Sequence, residues 1–465
     1  MSPNPMNRRK FLGTAAMMAA VAPASRLAAA VRDPNLADSC GCDPFHAQAR
    51  DASYAVDPNG PTLASDAFRD LSSGIKITNL KVFGVSLTPN SDRPYVFVKL
   101  ETNQPGLIGW GEATLEGKAQ SAMSCVEDFR GFLVGNDPMQ VEHLWQSMYV
   151  HTFYRAGPLI GSAISGIDQA LWDIRGKVLN VPVYQLLGGP YDQRGIRGYY
   201  HVESVSTAED LAHLRQSALQ EGVSCLKIGL PDHDYEWLET NAKIDRAVKY
   251  LQRVREGLGD SIDLAVDFHA KMGPAVSTII IKEVESLHLL FVEEPCPPEN
   301  PQAMARIARR STTPIATGER LVTAYGCREL IEMGAVDILQ PDINHVGGIS
   351  ALWKVAAMAN ISNISMAPHA CEGPVGDLAT LHVDSAMPNL LVQEICSFVQ
   401  PGEKEKIWAE WFGFPAMRMV NGRVPLPTKP GLGFELSEES LKKYPFGGTK
   451  PMEFVWHEDG SVAAL

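Results

Sequence analysis

From about Gly198 onward the chain repeats one grammar eight times: a short apolar run, a polar residue near its end, then a helical pattern. The runs are RGYYHV, VSCLKIG, LAVDFH, LLFVEEP, PIATGE, VDILQPD, ISMAPH and LLVQE. Between them lie amphipathic stretches such as AVSTIIIKEVESL and ISALWKVAAMANI. Short apolar runs of this length read as buried strands. Strands that alternate with helices lie parallel, and eight such units imply an α/β protein built on a (β/α) barrel.

What ends the runs carries the chemistry. Asp267, Glu293, Glu319, Asp342, His369 and Glu394 follow one another at separations of 26, 26, 23, 27 and 25 residues, one strand–helix unit each time. Residues far apart in the chain therefore fall around one barrel mouth, where this architecture builds its active sites. A single acid at a strand end is ordinarily a cap or a salt bridge. Carboxylates on three successive strands, Asp267, Glu293 and Glu319, would repel one another in a partly buried site. A divalent cation removes that cost, and oxygen-only ligation suits Mg²⁺, with Mn²⁺ as the alternative. In AVDFHA, Asp267 and His269 stand two apart at a strand end, so their side chains are expected on one side.

The rest of the chain is organised differently. Residues 1–30 carry Arg8-Arg9, then Phe11-Leu12, an Ala/Met/Val run and Ala28-Ala29-Ala30. That is the layout of a cleaved signal peptide of twin-arginine type, too short and broken to span a membrane. It makes a periplasmic address the expectation, with a cytoplasmic one as the alternative. Its removal takes away four positive charges and no negative one, moving the net charge from −13 to −17. An acidic balance argues against a nucleic-acid partner. The eight cysteines are dispersed without a CxxC pair, so neither a disulfide framework nor a zinc knuckle is indicated. Residues 31–73 read as an extension. Residues 74–197 read as an α+β domain: three antiparallel strands (IKITNLKVFGVSL, YVFVKLETN, GLIGWGEA, with a turn at Gln104-Pro105-Gly106) and then helices. The barrel is placed at 198–400 and a C-terminal segment at 401–465.

Taken together, HTFYRAGP (151–158), GIDQALWDIRGKVLNVPVYQLLGG (166–189), DFH (267–269), VEEP (292–295), TGER (317–320), QPDINHVGG (340–348), PHACEGP (368–374), LVQE (391–394) and TKPGLG (428–433) resemble the enolase superfamily, mandelate racemase subgroup. More narrowly, the chain looks like acid-sugar dehydratases of the galactonate type. The resemblance covers roughly residues 74–465. It implies a modified (β/α)7β TIM barrel capped by the N-terminal α+β domain, which the C-terminal segment completes, and a homo-oligomer acting on a small carboxylate.

The resemblance also assigns roles. Asp267, Glu293 and Glu319 match the Mg²⁺ ligands, with Glu294 beside them as a supporting partner. His369 paired with Asp342 matches the general base. His269 matches the acid that protonates a leaving hydroxyl, and Glu394 matches a carboxyl facing the developing enediolate. Those carboxylates and a substrate carboxylate outweigh one divalent ion, so a nearby cation is expected, and Lys227 is placed for it. Cys225 stands where the superfamily often has a second lysine. Tyr154 and Arg155 match the substrate-facing loop, while His201 and Glu372 depart from the dehydratase pattern at substrate-contacting positions. The implied reaction is Mg²⁺-dependent dehydration of an aldonate to a 2-keto-3-deoxy sugar acid. The alternatives are an epimerase, racemase or cycloisomerase with the same proton abstraction, for which Lys227 would be the second base, or an exported sugar-acid binding protein without catalysis.

Overall fold

The three predicted N-terminal strands form one antiparallel sheet. In the computed structural model they are β1 (Ile77–Val85), β2 (Tyr95–Thr102) and β3 (Ile108–Glu112), in that order. Described are residues 72–89, 91, 93–155, 157–202, 204–230, 241–370, 373–395, 403–450 and 460–462. The expected signal at 1–30, nearly all of the extension and Glu372 lie outside them. The turn at Gln104-Pro105-Gly106 closes through Leu107 N donating to Gln104 O, 3.1 Å, with Gly106 at φ 78°.

Against this sheet lies the long helix Pro158–Leu179, which starts on a proline and stops at Asn180 in the left-handed conformation. The contact needs the glycines of the β3 sequence IGWGE. A Cβ at Gly109 would fall 2.1 Å from Ala170 O, and one at Gly111 would fall 2.0 Å from Gly166 O. Strand and helix backbones can therefore touch directly.

The eight apolar runs become eight parallel strands: β4 (Ile196–Val202), β5 (Cys225–Gly229), β6 (Asp263–Asp267), β7 (Phe291–Glu293), β8 (Ile315–Thr317), β9 (Ile338–Leu339), β10 (Ser365–Met366) and β11 (Gln393–Glu394). They pair in chain order from β4 to β10, and β11 pairs β4 on its other edge. Leu390, just before β11, bridges Met366 of β10, and Leu391 N donates to Met366 O at 2.8 Å, so the two ends of the curled sheet meet. One residue from each strand region fills the interior: Tyr199, Cys225, Ala265, Phe291, Ala316, Ile338, Ala367 and Val392. Inward side chains stacked in layers are what makes such a barrel a core rather than a pore. Residues 69–465 form one compact unit, and no helix among the described residues is long and apolar enough to cross a membrane.

The C-terminal segment divides its contacts. β12 (Arg423–Val424) adds antiparallel to β4, while Gly431 bridges Pro182 and Pro445 bridges Val85 of the N-terminal sheet. The stretch LPTKPGLGFELS is irregular, with a single bridge at Gly431. Pro427 and Pro430 remove ladder donors, and Gly431 and Gly433 take positive φ.

Candidate active site

The barrel filling predicts where the site residues stand. Side chains two apart on a strand share a face, and two residues beyond each interior filler lie His201, Lys227, Asp267, Glu293, Gly318, Gln340, His369 and Glu394. Seven of the eight are polar and form the next layer up. At the eighth, Gly318 lets the chain pass against the Gln340 backbone, since a Cβ there would lie 2.6 Å from Gln340 N. Glu319, one residue later, supplies the acid.

Lys227 is wholly buried at the centre of this layer. Its Nζ lies 2.9 Å from Glu293 Oε2, 3.2 Å from Glu394 Oε1 and 3.4 Å from Asp267 Oδ2, and 5.7 Å above the Tyr199 ring. Burial alone would push its ammonium down, but Glu293 and Glu394 override that and hold it well above its ordinary value. Gln340 Nε2 also donates to Glu293 Oε2, 2.8 Å. With Oε2 taken up in this way, Glu293 Oε1 is left buried without a hydrogen bond. Asp267 is arranged likewise: Oδ1 accepts the His269 amide at 2.8 Å, and Oδ2 is buried without a hydrogen bond.

One ligand oxygen from each of Asp267, Glu293 and Glu319 lies within 4.8 Å of the others. Burial, then the Asp267 charge, pushes Glu293 up to about 8, and burial pushes Glu319 up to about 7. Four carboxylates, Glu394 included, face one ammonium here. Buried charge of that kind is tolerated when a cation is coordinated. The orphaned oxygens and the oxygen-only donor set fit a hard divalent ion such as Mg²⁺.

Two histidines flank this cluster. His369 Nδ1 meets Asp342 Oδ2 at 2.7 Å, and its Nε2 lies 3.5 Å from Glu319 Oε2. His269 Nε2 lies 3.2 Å from Asp267 Oδ2. Asp267 and His269 share a side as expected, but not by strand pleat. β6 ends at Asp267, whose side chain accepts the His269 amide and turns that residue to φ 46°. The imidazole thereby folds directly onto the carboxylate. Burial pushes His269 down from its ordinary value while Asp267 pulls the other way.

His201 joins the cluster, its Nδ1 3.4 Å from Glu394 Oε1 and its ring 5.8 Å from that of His269. Burial would raise Glu394, yet Lys227 and His201 hold it well below the carboxylate range. It thus faces Lys227 and His201 as an ion-pair partner. Glu294 pairs with Arg320, 2.8 Å from Nε to Oε1. Tyr154 is exposed with its ring against Phe153, and Arg155 sits 5.8 Å over the Tyr149 ring. None of the contacts among the described residues joins either to the carboxylate cluster. Gln340 and Arg320 stood inside quoted motifs without a role; two-residue register from Ile338 finds the first.

The comparisons with known proteins agree with this geometry. A model of the mandelate racemase / muconate lactonizing enzyme N-terminal domain matches residues 75–188, and an enolase C-terminal domain-like model matches residues 209–440. The D-galactonate dehydratase of Cronobacter sakazakii is 36% identical over 390 residues, covering 84% of this chain and 100% of that protein. The chain belongs to the mandelate racemase / muconate lactonizing enzyme family. Another member, the D-galactonate dehydratase of Ralstonia pickettii, is 36% identical over 397 residues, with 84% and 100% covered. An enolase from Pantoea ananatis, solved with bound D-gluconate and Mg, superposes with TM-score 0.76 at 28% identity, covering 84% of this chain and 100% of that one.

Proposed function

We propose that the chain is a sugar-acid dehydratase, a hydro-lyase that converts an aldonate to its 2-keto-3-deoxy acid with Mg²⁺ as cofactor. The observation that carries this reading is the pair of histidines set against the Asp267–Glu293–Glu319 cluster, His369 beside Glu319 and backed by Asp342, His269 beside Asp267. Held by those three carboxylates, the ion would supply positive charge that fixes the substrate carboxylate and offsets the charge of the enediolate.

Asp342 holds the His369 ring with Nδ1 protonated, so that Nε2 is the nitrogen that takes the α-proton. The electron pair from that C–H bond passes into the enediolate. It then expels the β-hydroxyl, which leaves as water with a proton from His269. The resulting enol takes a proton at the former β-carbon and gives up its hydroxyl proton to solvent, which yields the 2-keto acid. Lys227 stays protonated through this sequence, positioned by Glu394 and Glu293. That fixed positive charge lowers the cost of the dianion, and it argues against epimerisation, which needs a free base on the opposite face. D-Galactonate is the first substrate to try, given the two relatives. His201 and Glu372 make the acceptable sugar acid a matter for a panel. Arg8-Arg9 and the alanines before residue 31 support export to the periplasm.

The two histidines can be separated experimentally. In D₂O, His369→Asn should abolish deuterium uptake at the α-carbon and everything after it. His269→Asn should spare uptake while slowing elimination by roughly 100- to 10,000-fold, the usual worth of general acid catalysis. The reverse pattern would reject the assignment.

A further inference from the structure

The His369–Asp342 pair belongs to the barrel, but the groups that hold it in place come from the N-terminal α+β domain. One face of the helix Pro158–Leu179 grips the turn that follows Asp342. Ser162 Oγ meets His345 Nδ1 at 2.9 Å, Ser165 Oγ accepts the Gly347 amide at 3.0 Å, Asp168 Oδ2 accepts the Ser350 amide at 2.9 Å, and Gln169 Nε2 donates to Asn344 Oδ1 at 2.9 Å. Steps of three and four keep these side chains on one helix face.

The Asn344 contact leads straight to the base. Asn344 N donates to Asp342 Oδ1 at 2.6 Å, and Asp342 Oδ2 meets His369. From the other side, Glu112 at the end of β3 accepts the Val375 and Gly376 amides on Oε2, 3.1 and 2.9 Å, fixing the segment that follows His369. Glu112 N in turn donates to Gln169 Oε1 at 3.0 Å. A Cβ at Gly376 would lie 2.5 Å from Asn344 Nδ2, so the two gripped turns also touch each other. Every member from Glu112 through Gln169 and Asn344 to Asp342 is buried. Chains of this kind in a dry interior hold geometry tightly, because an unmade bond is costly.

We propose that Gln169 and Glu112 are positioning residues for the His369–Asp342 pair, so that the N-terminal α+β domain sets the geometry of the base. The proposal rests on His369 being the base. Gln169→Leu keeps the volume and deletes all three hydrogen bonds of that side chain, two with the Glu112 backbone and one with Asn344. Asn344→Ala deletes only the acceptor and carries the test if the first variant does not fold. Gln169→Glu, whose buried carboxyl can donate and accept when protonated, is the conservative control.

The substrate-independent readout is the far-downfield proton resonance of His369 Nδ1–H, assigned by its loss in His369→Asn. It should move or vanish in Gln169→Leu and Asn344→Ala and persist in Gln169→Glu. With D-galactonate as the probe, kcat should fall by up to about 100-fold, the cost of a displacement of about 1 Å at a reacting group, with KM little changed. A wild-type resonance in both deletion variants would overturn the proposal. So would an activity loss fully matched by a loss of folded, Mn²⁺-binding protein. Unimpaired deuterium exchange by His369→Asn would instead reject the base, a result told apart because the resonance needs no substrate.

Discussion

Replacing Lys227 with methionine keeps the length of the side chain and removes its charge. In the wild-type protein that ammonium stands 2.9, 3.2 and 3.4 Å from Glu293, Glu394 and Asp267, all of them buried. Removing one partner of a buried ionic cluster costs about 3–5 kcal/mol, because the remaining charges lose their compensation. An unfolding entropy of about 2.1 cal/mol/K per residue, applied to the unit 69–465, makes 1 kcal/mol worth about 1.2 °C. Lys227→Met should therefore melt about 4–6 °C below wild type after chelation, by calorimetry at neutral pH. The gap should narrow with saturating Mg²⁺, which restores positive charge to the same carboxylates. It should also narrow as pH falls, because protonation of a carboxylate removes a charge that Lys227 no longer balances. A chelated variant as stable as wild type, or more so, would refute the idea that Lys227 balances these acids. A gap indifferent to Mg²⁺ would refute the idea that ion and ammonium serve one cluster.

Three further outcomes are expected. His382 Nδ1 accepts the Tyr184 amide at 3.2 Å, and burial pushes the ring down to about 4. Between that value and about 6.5 the unfolded chain binds the extra proton, so stability should rise with pH across this window by up to about 3 kcal/mol. His382→Asn should flatten that slope in urea unfolding at pH 5 and pH 7, and an unchanged slope would contradict it. Gly111→Ala should destabilise by about 1–3 kcal/mol, since its Cβ would meet a helix carbonyl that has no room to retreat; denaturant titration at wild-type stability would contradict it. Replacing Arg8 and Arg9 by lysine should leave the precursor in the cytoplasm, as fractionation would report, and undiminished export would exclude a twin-arginine route.

Local pattern and register made much of the molecule legible. Parallel strands are buried on both faces, so they stand out as apolar runs, and all eight were visible with their terminal polar residues. Asp267, Glu293, Glu319, His369 and Lys227 could be placed because strand–helix units repeat at nearly constant length. What was not legible depends on tertiary closeness. Glu112 and Gly376 are 264 residues apart, and Gln169 and Asn344 are 175 apart; GIDQALWD shows a helix but not which turn its inner face grips. The left-handed turn at His269 follows from a side-chain hydrogen bond that no propensity announces. The surroundings of Glu394 are set jointly by Lys227 and His201, from two other strands.

Product formation is the decisive measurement for a sugar-acid dehydratase. The protein would be incubated with D-galactonate and a panel of other aldonic and uronic acids in D₂O, as isolated, after chelation and after return of Mg²⁺, with 2-keto acid and α-deuterium followed together. A 2-keto-3-deoxy product should form from at least one sugar acid, be lost on chelation and return with Mg²⁺. Deuterium entering the α-carbon with no 2-keto acid from any substrate, or undiminished turnover by metal-free protein, would contradict it.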